Sequence, residues 1–157
     1  MYSRLLVPID GSATSRLALS EATTLAKLSQ ATIVLLHVID ELEHSHGFER
    51  PLVYFNEVRP RFLQNGQALL DGSKAELESQ QVPVETVLIE SQGVRVSELI
   101  AQHAMSAHAD IVVMGTHGRR GVDRFLIGSD AEQVARIAPV PVMLVRSKRD
   151  TPLAEKP

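Results

Sequence analysis

The sequence predicts an α/β fold in which helices cover both faces of a parallel sheet. Apolar runs that favour strands alternate along the chain with stretches that have the spacing of amphipathic helices. The apolar runs are continuous, which is typical of strands that are buried on both sides. Alternating strands and helices imply right-handed crossovers and a doubly wound sheet. A chain of 157 residues is the size of one ordinary domain.

The predicted strands are apolar runs rich in leucine and β-branched residues. There are five of them: Leu5 to Ile9, Ala31 to Ile39, Val84 to Ile89, Ile111 to Met114 and Val140 to Val145. The last strand should leave one edge of the sheet unpaired. Because an exposed apolar edge invites pairing with a second copy, we expect a homodimer through Val140 to Val145.

About four helices are expected between or after these strands, because four stretches have an apolar face at helical spacing. The faces are formed by Ala18, Ala22, Leu25 and Ala26; by Phe62, Leu63, Leu70 and Leu77 within Glu57 to Gln80; by Val96, Leu99, Ile100, Ala104 and Ala107; and by Ala131, Val134, Ala135 and Ala138. Gly66 and Gly72 weaken the second helix without ending it.

Two segments have no clear period. Asp40 to Asn56 joins the second strand to a helix, and its length favours a loop that covers a site. The end of the chain is charged and contains prolines. We therefore expect a domain over residues 1–147 and a flexible tail over residues 148–157.

Composition limits the class of protein. The net charge of −3 and the small number of aromatic residues argue against nucleic-acid binding. No apolar run is long enough to cross a membrane, and the N-terminus does not resemble a signal peptide. The absence of cysteine fits the cytoplasm, which is the predicted location. No acidic or histidine cluster accompanies His44 and His46, so we expect no protein-bound metal centre.

A glycine motif follows the fourth predicted strand. Gly115-Thr116-His117-Gly118 is followed after nine residues by Gly128-Ser129. Glycines let backbone N–H groups approach an anion, so this segment is predicted to hold phosphate. Ser129 and Glu132 have the spacing of a capping box, which predicts a helix that starts after Ser129. The alternative is that the glycines serve turns alone.

The motif contains a basic cluster, Arg119, Arg120 and Arg124, which either is a solvated loop or places charge beside phosphates. His117 is expected to be a contact at most, because no nucleophile or orienting carboxylate accompanies it. The chain also lacks the lysine and hydroxyl arrangement of a P-loop. We therefore predict no catalytic residues and no efficient nucleotide hydrolysis.

Two other strand ends should meet the glycine motif at the same edge of the sheet. Asp10 ends the first strand, where a carboxylate accepts hydrogen bonds from ribose hydroxyls or caps a turn. Val38 lies near the end of the second strand and offers an apolar surface and main-chain groups to a base. His37 is expected to be structural.

These residues resemble the universal stress protein family over about residues 2 to 147. The matching features are Leu6-Val7-Pro8-Ile9-Asp10, the strand end at His37-Val38, the spacing of Gly115, Gly118, Gly128 and Ser129, and the closing run from Ala138 to Val145. The resemblance implies a single Rossmann-like domain of the adenine nucleotide alpha hydrolase-like type, with a five-stranded parallel sheet. It also implies a homodimer and, in one branch of the family, bound ATP.

The resemblance assigns roles to individual residues. Asp10 would hold the ribose, Pro8 and Val38 would border the adenine, and Met114 would flank the base or ribose. Gly115, Gly118, Gly128 and Ser129 would surround the phosphates. Asp130 departs from the small or β-branched residue of ATP-binding relatives, and an acid there repels phosphate. Arg119 or Arg124 would compensate, Mg²⁺ would bridge, or a less charged nucleotide would bind.

The function that follows is a cytoplasmic stress-response protein with ATP as a regulatory ligand. AMP or cyclic AMP would take the place of ATP if Asp130 disfavours the triphosphate. Two alternatives stay open. One is a dimeric interaction module of the same fold that uses no nucleotide, and the other is a weak ATP hydrolase.

Overall fold

Five strands alternate with four long helices in the computed structural model, which describes residues 1–41, 51–117 and 127–147. The elements in chain order are β1 Arg4–Pro8, α1 Ala13–Ser29, β2 Thr32–Ile39, α2 Arg59–Ser79, β3 Val84–Glu90, α3 Val96–Ser106, β4 Ile111–Gly115, α4 Ser129–Ile137 and β5 Val142–Val145. The predicted α/β class and the five predicted strands are confirmed.

The sheet is parallel and its strands lie in the order β3-β2-β1-β4-β5. The chain winds outward from β1 to β3 and then returns to the other side of β1. The switch point of the fold therefore lies between β1 and β4, where ligands bind in open α/β sheets. β1 and β4 pair only at Leu5 with Ile111 and Leu6 with Val112. Beyond these pairs, Pro8 at the end of β1 and Met114 and Gly115 at the end of β4 line one cavity.

The core has two halves, one on each face of the sheet. Leu5 and Val7 of β1 point toward α1 and α2, whereas Leu6 points toward α3 and α4. This alternation follows from the two-residue period of a strand. β1, β2 and β4 are largely buried, but β3 and β5 are only partly covered. Residues on both faces of β3 and β5 still pack against the two halves of the core, and these strands are less buried because each has a neighbouring strand on one side only.

The start of β5 and the segment before α2 depart from the prediction. β5 begins at Val142 rather than Val140, because Pro141 has no N–H to donate to the ladder, although its carbonyl accepts from Val112 N at 2.9 Å. Helical residues Pro51–Val53 and a π-helical turn, Tyr54–Val58, lead into α2. Part of the segment expected to be a loop is therefore helix, and its residues 42–50 lie outside the described ones.

Within the described ranges, no helix has both the length and the apolar character that a membrane span requires. The predicted tail, residues 148–157, lies outside the described ranges.

Candidate functional site

A cleft of about 440 Å³ opens at the carboxyl ends of the strands, beside the switch point. Eight of the predicted site residues line it together: Pro8, Asp10, Val38, Met114, Gly115, Gly128, Ser129 and Asp130. Gly118 and Arg119 lie outside the described residues, as do Arg120 and Arg124. The structure thus brings residues from distant parts of the sequence to one cavity, and their role in binding stays a prediction.

Asp10 begins the turn that leads from β1 into α1. Its Oδ1 accepts a hydrogen bond from Ser12 N at 2.8 Å, and Ser12 Oγ accepts from Ser15 N at 3.2 Å. The turn-capping role that the sequence left open is therefore real. A carboxylate has about four acceptor positions, so a bond to Ser12 N and a bond to a ribose hydroxyl are compatible. The turn holds the Asp10 carboxylate at the wall of the cleft.

β2 extends past the end of β1 along the cleft. Leu36 O accepts from Ile9 N at 2.8 Å on the β1 side, and Ile39 O accepts from Ser91 N at 2.9 Å on the β3 side. In a strand, the N–H and C=O of one residue point to the same side, and those of the next residue point to the opposite side. The N–H and C=O of Val38, two residues after Leu36, therefore face the β1 side, beyond the point where β1 ends. His37 is 8% exposed, and its Nδ1 lies 2.7 Å from Ile9 O. Its expected structural role agrees with this contact.

The end of β4 lies directly against the first turn of α1. A Cβ on Gly115 would be 2.8 Å from the carbonyl carbon of Thr14 and 2.9 Å from its Cβ. The Thr14 hydroxyl also donates a hydrogen bond to the His117 carbonyl oxygen. Gly115 is therefore required by helix packing, in addition to any ligand that it contacts.

The start of α4 differs from the predicted capping box. Gly128 is the N-cap, because its N–H donates to Thr116 O at 2.7 Å and its carbonyl accepts the first intrahelical bond, from Glu132 N. The Glu132 carboxylate pairs with Arg136 at 2.7 Å instead of reaching back to the cap. Ser129 and Asp130 are thus the first two helical residues. The helix begins one residue earlier than predicted, so Ser129 follows the cap and is not itself the cap.

Helices α2 and α3 also line the cleft, which the sequence did not indicate. Phe62, Asn65 and Gly66 share one face of α2, while Val96 and Ile100 come from α3. A Cβ on Gly66 would be 2.8 Å from His37 Cδ2, so this glycine lets α2 approach β2. Since glycine inside a helix is unfavourable, Gly66 was the available signal of a close contact.

A charged cluster lies beside the cleft, where β2 and β3 meet the turn before α2. Arg59 donates to both carboxylate oxygens of Glu90, at 2.7 and 2.6 Å, which lowers the pKa of Glu90. Burial raises the pKa of Glu41, and the adjacent Glu90 carboxylate raises it further, against the opposing effect of Arg59. Burial likewise raises the pKa of Tyr54. The cluster thus disfavours the charged form of Glu41.

The variant Glu41→Gln is expected to melt at a higher temperature than the wild type at pH 7–8. When the pKa of a carboxyl is raised in the folded state, the protein loses stability as the pH rises from the unfolded-state pKa, about 4.3, through the folded-state pKa. Glutamine stays neutral, so the two proteins should melt alike near pH 3, where Glu41 is protonated in both states. Thermal unfolding across this pH range measures the difference.

The matched control is Glu21→Gln, because Glu21 is exposed on α1. We expect this change to leave stability within about 0.5 kcal/mol at every pH. A melting temperature of Glu41→Gln below that of the wild type at pH 7–8 would contradict the burial argument. So would a difference that does not depend on pH.

The parallel five-stranded sheet and the cleft at its switch point define a single-domain, doubly wound α/β protein with a ligand site at the strand ends. A model of the universal stress protein family matches residues 1–146. The chain belongs to the universal stress protein family.

Relatives match nearly the whole chain. The universal stress protein YxiE of Bacillus subtilis is 30% identical over 151 residues, which cover 93% of this chain and all of the relative. The solved structure of MJ0577, a universal stress protein of Methanocaldococcus jannaschii, has a TM-score of 0.83 at 29% identity and covers 94% of this chain and 98% of its own.

Two further structures share the fold at lower identity. One is a universal stress protein in complex with cAMP, with a TM-score of 0.64 at 20% identity, covering 92% of this chain and 97% of its own. The other is a family protein of Arabidopsis thaliana with AMP bound, with a TM-score of 0.67 at 17% identity and 97% of both chains covered. At these identities the likeness shows the fold alone.

Proposed function

We propose that this protein binds an adenine nucleotide, with ATP as the first candidate, in the cleft between β1 and β4. Occupancy of the cleft acts as a regulatory signal in the cytoplasm, and the protein is not an efficient enzyme. The observation that carries the proposal is the meeting of eight predicted site residues in one cavity of about 440 Å³. A cavity of this size is in the usual range for small-molecule sites, about 300–1,000 Å³.

The base would lie at the β2 side of the cleft. The peptide groups of Val38 face the space beyond the end of β1, where an adenine can exchange two hydrogen bonds with them. Pro8 and Met114 line the same cleft and offer apolar surface to the ring. Asp10 would accept a hydrogen bond from the ribose while it keeps its bond to Ser12 N.

The phosphates would lie at the N-terminus of α4. The Gly128 N–H is already engaged with Thr116 O at 2.7 Å, so Gly128 shapes the turn instead of donating to phosphate. The N–H groups of Ser129 and Asp130 precede the first intrahelical bond, at a helix end that attracts anions. Ser129 adds a hydroxyl donor. The Asp130 carboxylate opposes phosphate charge, which keeps AMP and cyclic AMP as alternatives to ATP.

Relatives support the ligand class. Family neighbours with the same fold are described with cAMP and with AMP bound. Both ligands contain the adenine, ribose and phosphate that the cleft is proposed to hold. The membership of the chain in the ATP-binding branch of the family, and a role for Mg²⁺, are part of the proposal.

A thermal shift tests the proposal directly. A nucleotide at a hundredfold excess over its dissociation constant should raise the melting temperature by about 5–10 °C, equivalent to about 2.7 kcal/mol. ATP, AMP and cyclic AMP are each compared with and without Mg²⁺. The proposal fails if none of them moves the melting temperature.

Asp10→Asn is the variant that links a shift to the cleft. Asparagine keeps an acceptor for Ser12 N but removes the negative charge offered to the ribose, so we expect most of the shift to be lost. Asp71→Asn is the control, because Asp71 is an exposed residue of α2 whose Oδ1 accepts from Gln67 Nε2. An equal shift in both variants would place the nucleotide elsewhere.

We also propose that the protein is a homodimer joined through β5. β5 is an edge of the sheet, and its Met143 is 38% exposed. Pairing with a second copy would cover this edge. A molar mass in solution near twice the 17.2 kDa of the chain supports the dimer, and a mass near 17.2 kDa contradicts it.

A further inference from the structure

A second cavity adjoins the phosphate end of the proposed nucleotide cleft. It has a volume of about 470 Å³ and lies between the first turns of α3 and α4. Asp40, Val96, Ser129 and Asp130 line both cavities, so the two are neighbours with a shared wall. We call this second cavity the α3–α4 groove; its remaining lining residues are Arg95, Ser97, Glu132, Gln133 and Arg136.

The charges of the groove single out Arg95. No lysine or arginine is among the described residues that line the first cleft, whereas the groove has Arg95 and Arg136. Arg136 pairs with Glu132 at 2.7 Å. Within the described ranges, the Arg95 guanidinium makes no hydrogen bond or ion pair. Its charge is therefore available to an anion in the groove.

We propose that Arg95 binds the terminal phosphates of the nucleotide where they leave the first cleft and enter the α3–α4 groove. This inference rests on the proposed nucleotide function and specifies the residue that makes a polyphosphate acceptable beside Asp130. The guanidinium supplies charge-assisted hydrogen bonds to phosphate oxygens. The N-termini of α3 and α4, helices of 11 and nine residues, add partial positive charge on the two sides of the groove.

Sequence position did not indicate this role. Arg95 lies far from the glycine motif and from its basic cluster of Arg119, Arg120 and Arg124. It reaches the groove because α3 crosses the sheet and packs beside α4. The positive charge of Arg95 also offsets part of the negative charge that Asp40 and Asp130 bring to the groove, and this negative charge disfavours a nucleotide in proportion to its phosphate charge.

The test compares the affinities of adenosine, AMP and ATP for the full chain by isothermal titration calorimetry. In Arg95→Gln, the dissociation constant for ATP should rise about 5- to 10-fold, the size of one charge-assisted hydrogen bond at an exposed site. The loss should be smaller for AMP and absent for adenosine. Arg95→Lys keeps the charge and should restore most of the ATP affinity. Arg95→Gln combined with Asp130→Asn should recover part of it.

Lys74→Gln is the control for a change of net charge, because Lys74 is exposed on α2 and pairs with Glu78 at 3.8 Å. It should bind all three ligands like the wild type. The inference is overturned if Arg95→Gln binds ATP normally, or if it loses adenosine and ATP affinity equally. A wild type that binds none of the three ligands overturns the proposed function as well, so the two failures are distinguishable.

Discussion

Replacing Gly115 with alanine is expected to lower the free energy of unfolding by about 1–3 kcal/mol or more. The new Cβ would lie 2.8 Å from the carbonyl carbon of Thr14, and real Cβ atoms do not approach a backbone atom so closely. Thr14 belongs to the first turn of α1 and cannot move alone, because its hydroxyl donates to the His117 carbonyl. Either α1 or the end of β4 must shift.

The same displacement should also remove nucleotide binding. Gly115 lines the cleft, and Asp10 and Ser15 hold the turn that enters α1 on the facing wall. A shift of the wall changes the distance between the groups proposed to hold the ribose and the phosphates. Binding depends on such placement to within about 0.5 Å. We therefore expect the thermal shift by ATP to be lost in Gly115→Ala even at temperatures where the variant is folded.

Gly72→Ala provides a control with the opposite expected sign. Gly72 lies inside α2, and a Cβ there would meet nothing within 4 Å. Alanine favours helix over glycine by about 0.8–1.0 kcal/mol, so this variant should be more stable than the wild type. Urea unfolding of the two variants measures both effects. Equal changes in stability would show that the contact between Gly115 and Thr14 does not limit the packing.

Truncating Leu36 to alanine should cost about 2–5 kcal/mol of stability. Leu36 has no exposed surface and packs with Leu6, Ile100 and Met114 between the sheet and α3. Its carbonyl bond to Ile9 N is retained in the variant, so the loss reports the side chain. The expected cost combines the lost apolar burial with the cavity that the rigid surroundings leave open.

The control for Leu36→Ala is Leu28→Ala, which removes the same atoms from a side chain that is 79% exposed on α1. This change should alter stability by no more than about 0.5 kcal/mol, since leucine and alanine both favour helix. In urea, Leu36→Ala should lower the urea concentration at the midpoint of unfolding. The slope of the free energy of unfolding against urea concentration should stay the same. Similar losses in the two variants would contradict the role of Leu36 in the core.

The prediction of the fold succeeded because each element has a local cause. Five apolar runs are long enough and continuous enough to be strands, and the amphipathic stretches between them require a crossover. The order of elements also placed Asp10, Val38 and Gly115 at one edge of the sheet, because parallel strands end on the same side. These conclusions need only the sequence of elements, and no knowledge of how the helices pack.

The start of α4 shows where local reasoning ends. The spacing of Ser129 and Glu132 is a valid capping box, yet Gly128 is the cap because its N–H reaches Thr116 O, 12 residues earlier in the chain. That bond forms only when the end of β4 and the start of α4 meet in space. At Asp10 the bond to Ser12 N is local, and the sequence left this capping role open beside the ligand role.

By itself, the sequence determined the class of fold, the edge of the sheet where a ligand would bind and most residues of the proposed site, because these follow from periodicity and chain order. Only the tertiary structure decided that α2 and α3 complete the cleft, that Gly115 is a contact point for α1, and that Arg95 and Asp130 line one groove. These features depend on the distances between packed helices. Such distances are set by side chains far apart in the sequence, which no local pattern records.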